Sequence, residues 1–193
     1  SPDFFPEIVD THSFEDRVAT LEVAKAAGMD LCAGVILGMG ESPTDRIDAA
    51  VALQEIGVSS LPVNVLNPVA GTPLAEQGLP EITTPEIVRT IAVYRLLHPE
   101  ARVRLTGGGE ANLDPYEQHL PFEAGADGLL TGDYLTTEGQ DPGDDIDIIR
   151  RAGLEPNRSA NAFDPEAVKD RHRDPNPNAA AGTTTSNATN IDD

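Results

Sequence analysis

The side chains best placed to do chemistry are one thiol, two guanidinium groups, one amide and a pair of hydroxyls. Cys32 is the only cysteine, set in the apolar run Leu31–Leu37 ahead of Gly38-Met39-Gly40-Glu41. A lone thiol in such a run is usually core packing. The glycines that follow would let a large ligand approach the backbone, so Cys32 is also a candidate ligand. Arg104 lies in a second short apolar run, ahead of Thr106-Gly107-Gly108-Gly109-Glu110. As plain structure, Cys32 is packing and Arg104 pairs with a carboxylate such as Glu110, because a buried arginine must have a partner. Asn64 sits in Leu61–Leu66, where a buried amide either ties neighbouring strands or binds a polar ligand. Thr136-Thr137 reads as a helix cap or as two hydroxyls for a carboxylate. Gly107-Gly108-Gly109 frees backbone N–H groups for an anion or a close ligand, a weak signal by itself. Arg17 follows Phe14 on a helix, where a surface ion pair is the default. The histidines at 12, 98, 119 and 172 have no metal-ligand spacing and read as solvated or capping residues. Asp141-Pro142-Gly143-Asp144-Asp145 reads as a solvated acidic loop.

These residues need a scaffold. Leu31–Leu37, Leu61–Leu66, Val103–Thr106 and Gly128–Thr131 read as strands, and continuous apolar runs suggest strands covered on both faces. Helical patterns lie between them. Ser13 with Asp16, Ser42-Pro43 and Thr84-Pro85-Glu86 are start signals. Residues 111–123 and 144–152 are weaker helices, with Gly153 able to end the second. The order is helix, then four strand–helix units. It predicts an α/β fold with parallel strands, either an open sheet or the C-terminal half of a (βα)8 TIM-type barrel. Half a barrel has open edges, so N-terminal sequence is expected to be missing. Residues 1–153 form this unit. Residues 154–173 are an extension with a short helix, and 174–193 a disordered polar tail. The sequon Asn187-Ala188-Thr189 in that tail has no weight.

The chain has 193 residues and a net charge of −20, with Lys25 and Lys169 its only lysines. Such a surface repels nucleic acid and anionic membranes. Acid spread over every helix, with lysine scarce, suggests adaptation to high intracellular salt. One cysteine excludes an internal disulfide framework. No run has the length of a membrane helix, and the expected compartment is the cytoplasm.

Several segments, in order, resemble the biotin synthase family of radical S-adenosylmethionine enzymes. They are Ser13-Phe14-Glu15-Asp16-Arg17, Cys32 to Glu41, and Pro62-Val63-Asn64 with Gly71-Thr72-Pro73-Leu74. Arg89-Thr90-Ile91-Ala92, Arg104-Leu105-Thr106-Gly107-Gly108 and Asp133-Tyr134-Leu135-Thr136-Thr137 complete the set. The resemblance runs from about residue 1 to about residue 153. It implies a (βα)8 barrel holding a [4Fe–4S] cluster, a [2Fe–2S] cluster, S-adenosylmethionine and dethiobiotin. Cys32 and Arg104 would be ligands of the [2Fe–2S] cluster, and Arg17 and the backbone near Ile36 would bind S-adenosylmethionine. Asn64 and Thr136-Thr137 would bind dethiobiotin, which receives sulfur to become biotin. A flavodoxin- or ferredoxin-type reductant and a homodimer in the full-length protein are further implications.

The chain departs from the family pattern. The three-cysteine motif of the [4Fe–4S] cluster and the other [2Fe–2S] cysteines are absent, and Gly109 stands where the family usually has arginine. The ligands of the [4Fe–4S] cluster would lie in the missing N-terminal part. The chain is therefore expected to be the C-terminal half of such an enzyme and inactive alone. Hydrogenase-maturation and methylornithine-forming relatives share the barrel, but Cys32 with Arg104 and the threonine pair favour the first reading. A non-catalytic remnant that binds a small molecule is a different class. An aldolase-like barrel would want a lysine at a strand end, and neither lysine occupies one.

Overall fold

The computed structural model describes residues 1–133 and 139–156, with Glu110 described by its backbone alone. Helix α1 (Phe5–Ile8) and helix α2 (Phe14–Ala26) precede strand β1 (Val35–Leu37). Helix α3 (Pro43–Ile56) leads to β2 (Ser60–Val65), and α4 (Pro73–Glu76) and α5 (Thr84–Leu97) lead to β3 (Arg102–Leu105). The short helices α6 (Gly109–Asn112) and α7 (Leu120–Glu123) come before β4 (Gly128–Leu129), and α8 (Pro142–Arg151) follows it. Among the described residues the four strands pair in parallel in the order β1-β2-β3-β4, with none inserted out of sequence. This is the parallel α/β arrangement expected, consistent with half of a TIM-type barrel. Pairing at β1 is short: Cys32 meets Ser60 through an isolated bridge before the strand proper begins.

Local chemistry sets the helix boundaries. Ser13 and Ser42 accept from the backbone N–H of Asp16 and Asp45, and both carboxylates reach back to complete capping boxes. Proline follows Ser42 at the first helical position, where its missing N–H costs nothing. The cap of α5 lies one residue earlier than expected. Thr83, rather than Thr84, closes the box with Glu86, which leaves Pro85 in the first turn. Hydrogen bonds from Ser13 and Thr83 pull the Asp16 and Glu86 carboxyls below their ordinary range. The acidic segment 141–145 is a helix start rather than a solvated loop. The Asp141 side chain accepts from Gly143 N, Pro142 enters the first turn, and Asp145 is buried and accepts from the Gln140 amide. Carboxylates at a helix N-terminus are favoured by its positive end. Residues 111–123 do not form one helix. Asp114 accepts from Tyr116 N in a turn at Pro115, and this separates α6 from α7.

The core lies on one side of the sheet. Leu37, Leu61, Val63, Val65, Val103 and Leu105 pack beneath Ala50, Leu53, Ile56, Ile87, Ile91 and Tyr94. Burial alternates along β2 and β3. The expectation that the strands are covered on both faces is therefore corrected. The helices take one face, and the other presents Cys32, Ile36, Pro62, Asn64 and Arg104. This is the geometry of a barrel strand, whose second face looks into a lumen.

His98, read as solvated or capping, is the C-cap of α5 and is buried rather than solvated. Its Nε2–H donates to the Ala50 carbonyl at 2.9 Å, joining the end of α5 to α3. His119 precedes α7 and lies 3.6 Å from Glu123, and His12 is exposed beside Thr11 and Phe5. His172 falls outside the described residues, as does the chain beyond Pro156, where the short helix and polar tail were expected. Among the described residues no helix is long and apolar enough to cross a membrane.

Two predictions follow from this packing. Leu61 is fully buried, so Leu61→Ala should lower the unfolding free energy by about 2–5 kcal/mol in urea titrations. Burial pushes the His98 imidazole below its ordinary 6.5, against the opposing pull of the Ala50 hydrogen bond. Between the folded and unfolded values the unfolded chain binds more protons, so His98 destabilises the fold as pH falls below about 6.5. The drop in Tm between about pH 7 and pH 5.5 should shrink in His98→Gln.

Candidate functional site on the open sheet face

Register assembles the site. Ile36 faces Asn64 across β1 and β2, and Pro62 faces Arg104 across β2 and β3. Cys32 and Ser60 are bridge partners. Alternation along each strand sends all six side chains to the uncovered face. Cys32 is thus exposed rather than packed in the core, because the run 31–37 alternates in burial where its composition suggested continuity.

Arg104 meets Cys32 there. Its Nη2–H donates to Cys32 Sγ at 3.2 Å. Glu110, considered as the partner of Arg104, has its side chain outside the described residues. Arg104 Nε is buried with no hydrogen-bond partner, and so is Ser60 Oγ. Buried polar atoms are rarely left unpaired, and each one calls for an explanation. Two on one face, beside an exposed thiol, suit a polar or ionic group held against the sheet. Residue type alone gave no reason to single out Ser60. Its signal is parity, since it is two residues before Pro62 and four before Asn64 on one strand.

Asn64 ties three segments together. Its Nδ2 donates to Val35 O at 3.3 Å, and its Oδ1 accepts from Thr106 Oγ1 at 2.9 Å and from Gly107 N at 3.1 Å. Thr106 Oγ1 also lies 3.1 Å from Val63 O, and Val65 N donates to Gly107 O at 2.8 Å. The triple-glycine turn is therefore sewn to β2, with its N–H groups partly spent inside the protein. Gly108 is obligatory there: its φ is 78°, and a Cβ would lie 2.0 Å from Val65 O.

Of the remaining candidates, Arg17 is apart from this cluster and Ile36 belongs to it. Arg17 is exposed on α2, which packs against α3, and makes no ion pair among the described residues. Ile36 is exposed in the middle of β1, opposite Asn64 and two residues before the Gly38–Glu41 turn. Thr136 and Thr137 lie outside the described residues. No group of three or more His, Cys, Asp or Glu side chains that could hold a metal ion occurs among the described residues. A cluster seated at Cys32 would need further ligands from beyond this chain, which has one cysteine.

A family model described as Biotin and Thiamin Synthesis associated domain matches residues 62–155. A curated biotin synthase of Natronomonas pharaonis is 71% identical over 186 residues, covering 96% of this chain and 50% of that protein. The biotin synthase of Heliobacterium modesticaldum is 51% identical over 154 residues, covering 80% of this chain and 46% of the relative. That of Geobacter sulfurreducens is 45% identical over 151 residues, 78% of this chain and 45% of the relative. The chain spans about half the length of the curated relatives it matches.

The local geometry yields one prediction. Asn64→Ala removes the acceptor of Gly107 N–H and the link to Val35. It should lower stability by about 1–3 kcal/mol in denaturant titrations, the cost of leaving a buried donor unmet.

Proposed function

The chain belongs by homology with the biotin synthases, and we propose that it carries the half of such an enzyme that holds dethiobiotin and part of a [2Fe–2S] cluster. One observation carries the reading: the only thiol and a strand-borne guanidinium touch on the open face of the sheet. Cys32 would supply one thiolate to the cluster and Arg104 a second contact, and the unpartnered Arg104 Nε and Ser60 Oγ suit an ionic group there. Iron–sulfur clusters are held mainly by thiolates, so the other ligands would come from outside this chain. Arg17 would bind the carboxylate of S-adenosylmethionine and the backbone near Ile36 its adenine. The ligands of a [4Fe–4S] cluster are not in this sequence and would also come from elsewhere.

When bound, these cofactors supply the electron and radical chemistry that inserts sulfur into dethiobiotin. The chain's own residues bind and orient. Asn64, fixed between β1 and the turn after β3, would meet the ureido ring of dethiobiotin. Thr136 and Thr137 would accept its carboxylate. The apolar side chains of the open face, Ile36 and Pro62, would keep water from the reacting carbon. The chain alone is expected to be inactive. In the complete enzyme the proposal includes a homodimer, a flavodoxin- or ferredoxin-type reductant and a cytoplasmic location. The excess of acid over lysine and the likeness to the Natronomonas pharaonis protein support a high-salt origin. The domain reading of 1–153 as half-barrel, 154–173 as extension and 174–193 as polar tail stands as part of the same proposal.

The test is complementation of a biotin auxotroph. The chain should fail alone and should support growth when co-expressed with, or fused to, the remaining half of the Natronomonas pharaonis relative. Cys32→Ala should abolish growth and the visible absorbance of a [2Fe–2S] centre in the purified pair. Undiminished growth with Cys32→Ala would remove the cluster assignment. Growth with neither form would favour a non-catalytic remnant.

A further inference from the structure

The turn after β1 is held by a buried ion pair that the site as described leaves unused. The Glu41 carboxylate accepts from Gly38 N at 2.9 Å and from Met39 N at 2.8 Å, one bond to each oxygen. Arg46 Nε donates to the Gly38-bound oxygen at 2.8 Å. Side-chain exposure is 6% for Glu41 and 10% for Arg46, so neither charge is solvated. Arg46 also lies 3.6 Å from Glu86, which completes the cap of α5. The carbonyl of Arg46 accepts from the fully buried Tyr94 hydroxyl at 2.9 Å. A surface ion pair would have little effect. This pair is buried, its charges are met by hydrogen bonds, and it connects a strand-end turn to α3 and α5.

The turn needs such a support. Gly38 and Gly40 have φ of 88° and 100°, and only glycine enters this region without strain. Leu79 and Ile82 pack close to these two glycines, so the loop between β2 and α5 backs the turn. The glycines therefore serve the turn's own shape and close packing, and Glu41 fixes the two N–H groups that would otherwise be free.

We infer that Arg46 is a positioning residue. It fixes Glu41 beneath the turn, so that Ile36 and the backbone after it present one rigid surface to the adenosyl group of S-adenosylmethionine. The identity of that ligand rests on the function proposed above; the clamp itself does not.

Two variants separate the parts. Arg46→Lys keeps the charge but lacks the fork that spans Glu41 and Glu86, and Glu41→Gln leaves one backbone N–H with a neutral acceptor and the other facing an NH2 group with none. In native-state hydrogen exchange of the full chain, Gly38 and Met39 amides should exchange about tenfold faster in both variants, the scale of one lost charged hydrogen bond. Amides of β2 and β3 should be unchanged. Unaltered protection at Gly38 and Met39, or acceleration shared equally by β2 and β3, would overturn the clamp. S-adenosylmethionine titrated into the same three proteins, each paired with the remaining half of the Natronomonas pharaonis relative, tests the ligand. A roughly tenfold weaker affinity in the variants supports the whole inference. Equal affinity in all three overturns the role in binding. Selective exchange with no binding by the unaltered pair leaves the clamp standing and removes the cofactor reading from this turn.

Discussion

Strand register is the constraint on which the rest depends. The side-chain period of a strand is two, so a slip of one residue between β2 and either neighbour would reverse every side chain on that strand. Leu61, Val63 and Val65 would then face the open side, while Asn64 and Pro62 entered the core. The observed register is secured twice. Apolar burial against α3 and α5 fixes one face. On the other face Asn64 bonds to β1 and to the turn after β3, so the neighbours of β2 cannot shift independently. The meeting of Cys32 with Arg104 is a product of that register rather than of any affinity between a thiol and a guanidinium.

The two ends of the sheet have different work. Below, Arg95 gathers the chain at the start of β3: it donates to the carbonyls of Gly125, His98 and Ala101 and pairs with Asp127. Asp127 in turn accepts from Val103 N. These contacts are structural and close the loops that enter β3 and β4. Above, the strand ends carry glycine turns whose N–H groups are met by Glu41 and Asn64. Both ends are thus tied by polar contacts, and the end with the glycine turns is where ligands are expected in a parallel barrel.

The order of elements was legible because each boundary has its own chemistry. Ser13, Ser42 and the 83–86 segment announce helices, and glycine or proline bounds every strand. The parallel topology followed from four apolar runs with helical patterns between them. Burial was less legible. Composition made the run from Leu31 to Leu37 look uniformly internal, and only the pairing of β1 with β2 reveals which residues face out. The capping position of His98 was legible but its burial was not, since its carbonyl partner Ala50 is distant in sequence. Asp145 could have been anticipated from the Asp-Pro start of α8, where the first turn of a helix accepts carboxylates. Ser60 and the Glu41–Arg46 pair were hidden because hydroxyls, acids and arginines are common on surfaces, and nothing local marks these as buried.

The amide of Asn64 has a polarity that cannot be reversed. Its oxygen is identified by a backbone donor, Gly107 N–H, so the ambiguity between oxygen and nitrogen that usually attends such groups is absent. The single Thr106 hydroxyl proton, within reach of both this oxygen and Val63 O, occupies the second lone pair when it turns to Asn64. One amide proton is used on Val35, and a single proton is left. With Thr106 turned to Asn64, the group gives a hydrogen bond and receives no other. A molecule lying against it must turn an acceptor toward it; of a cyclic urea, that is the carbonyl oxygen and not the ring N–H. The fold has made a two-way group into a one-way one, and so set the sense in which a ligand can lie.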